Sequence, residues 1–133
     1  MPREVINPDS LFNSLQYGFS QIAIGQGSRF VAVSGQVGWD EHEQIADQAD
    51  LHQQMLKALS NLEIAMQAAG GSLDDILLLH IYIVESAMAN SVAIREALKQ
   101  WFPASPPASS WIGVPRLANP DFLVEVEALA IVS

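Results

Sequence analysis

Two glutamates stand near the end of the chain two positions apart, Glu125 and Glu127, inside the run Leu-Val-Glu-Val-Glu-Ala-Leu-Ala. In an extended strand residues i and i+2 share a face, so both carboxylates point to one side of a heavily apolar segment. A carboxylate there has to be paired, hydrogen-bonded or kept protonated, because burying it bare is costly. Each therefore has two readings: a structural partner in a hydrogen bond or ion pair between subunits, or a general acid/base in a cleft. The structural reading weighs more for Glu127 than for Glu125.

Other reactive residues form weaker patterns. His42 and His52 are ten positions apart and His80 lies mid-strand, so no histidine belongs to a ligand-spaced motif and no metal is expected. His42 with Asp40, Glu41 and Glu43 resembles a cation site but reads better as a solvated loop. His80, inside an apolar strand, reads as a hydrogen-bonded core or interface residue. Serines are available at Ser34, Ser105, Ser109 and Ser110, yet no Gly-x-Ser-x-Gly elbow surrounds any of them. Gly25-Gln26-Gly27 lacks the third glycine of a phosphate loop and leads into a strand, which makes it a hairpin turn.

Composition narrows the function classes. With 133 residues the chain has room for one domain, residues 1–133, and for a substantial core. Half the residues are apolar and 16% are charged, which excludes disorder. The absence of cysteine excludes disulfides, thiolate metal sites and a thiol nucleophile. Six Lys and Arg against fifteen Asp and Glu give a net charge of −9, the wrong sign for neutralising phosphates, so no nucleic-acid partner is expected. No apolar run approaches the ~20 residues of a membrane span, and a signal-peptide layout is missing, so the expected location is the cytoplasm.

The elements that must position these residues follow from periodicity. Phe19 to Ile24 and Arg29 to Gly35 read as strands around the Gly25–Gly27 turn, with Gly35 ending the second. Leu51, Met55, Leu59, Leu62 and Met66 recur at three- and four-residue steps and predict a helix, capped by Asp47 or Asp50 and ended by Gly70-Gly71. Ile76 to Val84 is an almost unbroken apolar run, as in a strand buried on both faces. A second helix runs from Ala87 or Asn90 to Phe102, with Ile94, Ala97, Leu98 and Trp101 inward, and prolines 103, 106 and 107 stop it. Ser109 to Val114 and Leu123 to Val132 are the closing strands.

With a short strand at Arg3 to Ile6 counted, the order is β-β-α-β-α-β-β, an α+β layout with two helices on one face of the sheet. The other face then has no cover from the chain itself. A second copy is the economical cover, and the expectation is an obligate homo-oligomer.

Taken in order, several fragments resemble the RidA (YjgF/YER057c/UK114) family over nearly the whole chain. They are Phe19-Ser20-Gln21, Val33-Ser34-Gly35-Gln36, the helix from Gln53 to Leu62, Ala68-Ala69-Gly70-Gly71 and Asp75-Ile76. Pro107-Ala108-Ser109 and Val124-Glu125-Val126-Glu127-Ala128-Leu129-Ala130 complete the set. The resemblance implies a chorismate-mutase-like α+β fold assembled as a homotrimeric barrel with helices outside. Active members of the family hydrolyse reactive imines and enamines to a keto acid and ammonia, without a cofactor, in clefts between subunits. It further implies an Arg after Pro-Ala that clamps the substrate carboxylate, and a first glutamate of the last strand that activates water. The backbone near Ser-Gly and an aromatic residue of the first strand line the cleft.

Carried over, these roles fall on Glu125 as acid/base and on Phe19, Ser34, Gly35, Ser109, Ser110 and Trp111 around a small-molecule ligand at a subunit boundary. The clamp position is Ser109, the first-strand aromatic is Phe19 where the family has Tyr, and Trp111 narrows the cleft. A hydroxyl lacks the charge and fork of a guanidinium, worth roughly 1.5–3 kcal/mol per charged contact, so slow turnover of 2-aminoacrylate-type imines is expected. Arg95 and Arg116 are candidates for a relocated clamp. The competing reading is a trimeric metabolite-binding protein without catalysis.

Overall fold

In the computed structural model, which describes residues 2–133, the long helix α1 (Leu51–Ala68) starts from Asp50. The Asp50 carboxylate accepts from the Gln53 backbone N–H, and the Gln53 side chain accepts from the Asp50 N–H. This reciprocal cap satisfies two backbone donors and decides between the two predicted start residues. All five stripe residues of α1 are buried, with Met55, Leu59, Leu62 and Met66 fully so.

Three strands precede α1: β1 (Glu4–Ile6), β2 (Ile22–Ile24) and β3 (Arg29–Val37). All three answer to strands read from the sequence, although the order β-β-α-β-α-β-β leaves one of them out. β4 (Ile76–Val84), α2 (Val92–Trp101), β5 (Ala108–Val114) and β6 (Val124–Val132) follow. The main sheet runs β3-β6-β4-β5, with β4 and β5 parallel and the other pairs antiparallel, while β1 and β2 pair apart from it. The fold is α+β, with two main helices and a mixed sheet. α1 packs on the sheet beside α2, and its buried side chains meet Leu79, Ile81 and Ile83 of β4 and Val124, Val126, Ala128 and Ala130 of β6. No helix among the described residues is long and apolar enough to cross a membrane.

Four local expectations change. Gly25–Gly27 is not a hairpin, because β2 pairs with β1 and the chain crosses between sheets at that turn. Residues 19–21 lie outside β2, and only Ser20 makes a bridge, to Ala108. Gly35 does not end β3; Ser34 and Gly35 form a bulge between the Val33–Ala128 and Gln36–Val126 pairs, and the strand continues to Val37. A bulge keeps a strand paired while re-aiming its side chains, which sequence periodicity reads as a stop. α2 begins later than predicted, after a 3-10 stretch over Glu85–Asn90.

On β4 the chain itself covers only one face, as the two-helix layout implied. Leu79, Ile81 and Ile83 are buried under the helices, whereas Leu78, His80 and Tyr82 point the other way and are half-buried. β6 alternates the same way, with Glu125, Glu127, Leu129 and Ile131 on the open side. That face is apolar at one end, with Phe30, Leu78, Leu129 and Ile131, and polar at the other.

Candidate functional site

The predicted site residues separate into two clefts of the chain. The first, of about 590 Å³, is lined by Phe12, Tyr17, Phe19, Gln21, Ser109, Ser110 and Trp111. The N-terminal segment reaches β5 because the Ser20 N–H donates to the Pro107 carbonyl and Ser20 bridges Ala108. Gly18 lets the preceding turn lie against α2: its φ is 90°, and a Cβ there would stand 2.9 Å from the Leu98 Cβ. Phe19 therefore sits beside Trp111, ring centroids 6.1 Å apart, and Phe12 meets Phe19 edge-on at the same distance. The Trp111 indole N–H donates to the Ser109 Oγ at 3.2 Å.

The second cleft, of about 430 Å³, is lined by Gly35, Val37, Trp39, Ala118, Asn119, Pro120, Phe122 and Glu125. Its geometry comes from the β3 bulge. A Cβ on Gly35 would stand 2.6 Å from the Glu125 Cδ and 2.7 Å from its Oε2, so only glycine lets the backbone lie against this carboxylate. Two α1 side chains hold the walls. Asn61 Nδ2 donates to the Val37 and Trp39 carbonyls, while Gln54 donates to the Asp121 carbonyl and accepts from the Leu123 N–H. Trp39 and Phe122 pack edge to face at 4.7 Å.

Within one chain, then, Phe19, Ser109, Ser110 and Trp111 come together, and Gly35 and Glu125 come together, but the two groups do not share a cleft. Ser34, exposed in the bulge, lines neither. Neither Arg95 nor Arg116 lines either cleft, and both linings lack a cationic side chain. Phe12, Tyr17, Gln21, Trp39, Asn119 and Phe122 escaped the sequence reading. The available signal was aromatic residues standing in otherwise polar loop segments.

Glu127 is held inside the chain. Its Oε1 accepts from the Tyr82 hydroxyl at 2.7 Å, and His80 Nδ1 lies 2.9 Å from the same oxygen. The hydrogen bond from Tyr82, then that from His80, holds the carboxyl below its ordinary range; the same bond pushes the Tyr82 phenol up. In the loop after β3, Asp40 accepts from the Gln44 and His42 N–H groups, which lowers its pKa. His42 and Glu41, 3.5 Å apart, are both largely exposed. Among the described residues no three His, Asp or Glu side chains converge as metal ligands would.

Comparison with known proteins places these features in context. Residues 13–132 match the protein-family model described as Endoribonuclease L-PSP. The 3-aminoacrylate deaminase RutC of Acinetobacter baylyi is 29% identical over 130 residues, which covers 98% of each chain. The crystal structure of the Rid-family protein YyfB from Yersinia pestis matches with a TM-score of 0.90 at 34% identity, covering 99% of this chain and 100% of that one. Escherichia coli TdcF, solved with bound serine, matches with a TM-score of 0.68 at 31% identity over 83% of this chain and 85% of its own.

Proposed function

Since this chain belongs to the family described as Endoribonuclease L-PSP, which includes the RutC and Rid proteins, we propose that it is a cytoplasmic Rid-like hydrolase of a small imine or enamine. It acts as one domain over residues 1–133, assembled as a homotrimer in which the open sheet face is covered. The Phe19–Trp111 cleft of one copy then faces the Gly35–Glu125 cleft of the next. Phe19, Ser34, Gly35, Ser109, Ser110 and Trp111 surround the ligand, and Glu125 is the acid/base. The carboxylate takes a proton from water as the oxygen bonds to the C=N carbon. It returns that proton to nitrogen, and the carbinolamine collapses to a carbonyl compound and ammonia.

The observation that carries this reading is the glycine-only contact between the β3 bulge and Glu125. A bulge that lays bare backbone against a carboxylate lining a cleft supports a role for that group beyond packing. The activity named for the RutC relative, deamination of 3-aminoacrylate, supports the reaction class. The net charge of −9 opposes ribonucleolytic use of the same fold.

Ser109 sets the substrate limit. Without a cation in either cleft, a substrate anchored through a carboxylate meets only neutral donors. Imines generated in situ by an amine oxidase, free of carboxylate, should lose ammonia faster with the protein present than in buffer, and Glu125→Gln should abolish the difference. Carboxylated imines from an amino-acid oxidase should decay near the buffer rate until Ser109→Arg, alone or with Trp111→Cys, restores a clamp. No acceleration of either class by any of these proteins would leave the second reading, a metabolite-binding trimer, which the missing cation favours.

A further inference from the structure

We propose that the Phe12–Tyr17–Phe19–Trp111 cleft is an aromatic cage that selects a planar unsaturated ring, neutral or cationic, and rejects carboxylates. This deepens the reading of the cleft as a ligand site and rests on it. Four of the seven lining residues are aromatic, and the remaining three, Gln21, Ser109 and Ser110, are uncharged. Phe12 is 61% exposed. An aromatic ring left that open usually covers something, since its burial is worth more than its exposure.

Phe12 is also held in place. The Gln21 side-chain N–H donates to the Phe12 carbonyl at 2.9 Å, and the Phe12 ring stands edge-on to Phe19. Phe19 in turn lies tilted against Trp111. Three rings in successive contact at 6.1 Å present edges and faces at fixed angles, the arrangement into which a further flat ring fits. The faces also suit a cation, which the net charge of −9 attracts from a distance.

The polar lining of the cleft is uncharged, with Gln21 from the N-terminal segment and Ser109 and Ser110 from β5. Ser109 Oγ accepts from Trp111, which leaves its own proton to donate. Ser110 is exposed beside it on β5. These hydroxyls can hydrogen-bond a ring heteroatom or the imine nitrogen, but they cannot replace the hydration a carboxylate loses on entering an aromatic cleft.

The test reads the Trp111 indole N–H in proton–nitrogen NMR spectra, identified among the three tryptophans by its loss in Trp111→Phe. The probes share one ring: benzyl alcohol, phenyltrimethylammonium and benzoate. Saturable shifts of the Trp111 signal are expected with the first two, and benzoate should bind at least about fivefold more weakly. Phe19→Ala should weaken the ring probes about fivefold; Phe12→Ala, at an exposed position, guards against loss of folding and should do so too. Ser109→Arg should reverse the order in favour of benzoate. Benzoate binding as tightly as benzyl alcohol to the unmodified protein would overturn the proposal, as would ring binding that ignores both Phe variants or leaves Trp111 unmoved. The titration reads ring binding and the ammonia assay reads turnover, which keeps the two claims apart: loss of hydrolysis with ring selection intact leaves the cage standing, and failure of the cage leaves the hydrolysis assay to speak for itself.

Discussion

At the scale of single residues, Glu125 and Glu127 look interchangeable in sequence and are not so in the structure. Glu127 is bonded to Tyr82 and His80, while Glu125 lies against a glycine in a cleft. Gly35→Ala should therefore act on Glu125 before it acts on stability. The added methyl collides with a flexible side chain, which can swing away. The melting temperature should change little while imine turnover falls with the displaced carboxylate; an unchanged rate would detach Glu125 from the chemistry. Glu127 carries a different prediction. Its folded pKa lies below the ordinary value of 4.5, so its contribution to stability is fully present above about pH 4.5 and disappears as pH falls through the lowered value. Glu127→Gln should cost under about 1 kcal/mol at pH 7, since the side chain is 40% exposed and solvent screens the pair. Urea melts of both proteins should converge as pH falls below that lowered value, and a gap that does not narrow with falling pH would refute the linkage.

Elements explain how such residues come to their places. α1 supplies six of the buried core side chains, more than any other element, and also, through Gln54 and Asn61, the hydrogen bonds that hold the loops around Glu125. Its N-terminus depends on Asp50. Asp50→Ala should lower stability by about 1 kcal/mol, measured by chemical denaturation, with the unfolding slope unchanged. Asp47→Ala, which removes no cap, should leave the denaturation midpoint in place. Equal losses from both would mean that the helix start had been misassigned. The β3 bulge works at the same scale, because a regular strand would keep Gly35 in register and move its backbone away from the carboxylate.

For the whole molecule, the proposed trimer rests on the open face of the main sheet. Phe30 is 69% exposed there, next to half-buried Leu78, Leu129 and Ile131. Such a patch on a chain this small calls for a partner. Light scattering should give three times the 14.4 kDa of one chain. Leu129→Glu, which adds a charge to the apolar end of that face, should shift the mass toward one chain. It should also abolish turnover, because the two clefts would no longer meet. A monomeric wild-type protein with full activity would sink both the trimer and the shared cleft.

Much of this was legible in the chain itself. The α1 stripe, the two helices and the last strand follow from hydrophobic period, because burial repeats wherever a regular element repeats. The ordered fragments from Phe19 to Ala130 were enough to place the family, and Ser109 at the clamp position raised the question of substrate charge. What periodicity could not carry was register and approach. Nothing local says that β2 leaves β3 for β1, or that Gly35 sits in a bulge and not at a strand end, since pairing partners are chosen by residues far away in sequence. The division of labour between Glu125 and Glu127 was equally hidden. Two identical side chains on one strand face differ only in what the neighbouring strands set beside them, Tyr82 and His80 for one and a bare glycine for the other, and that is settled by tertiary contact alone.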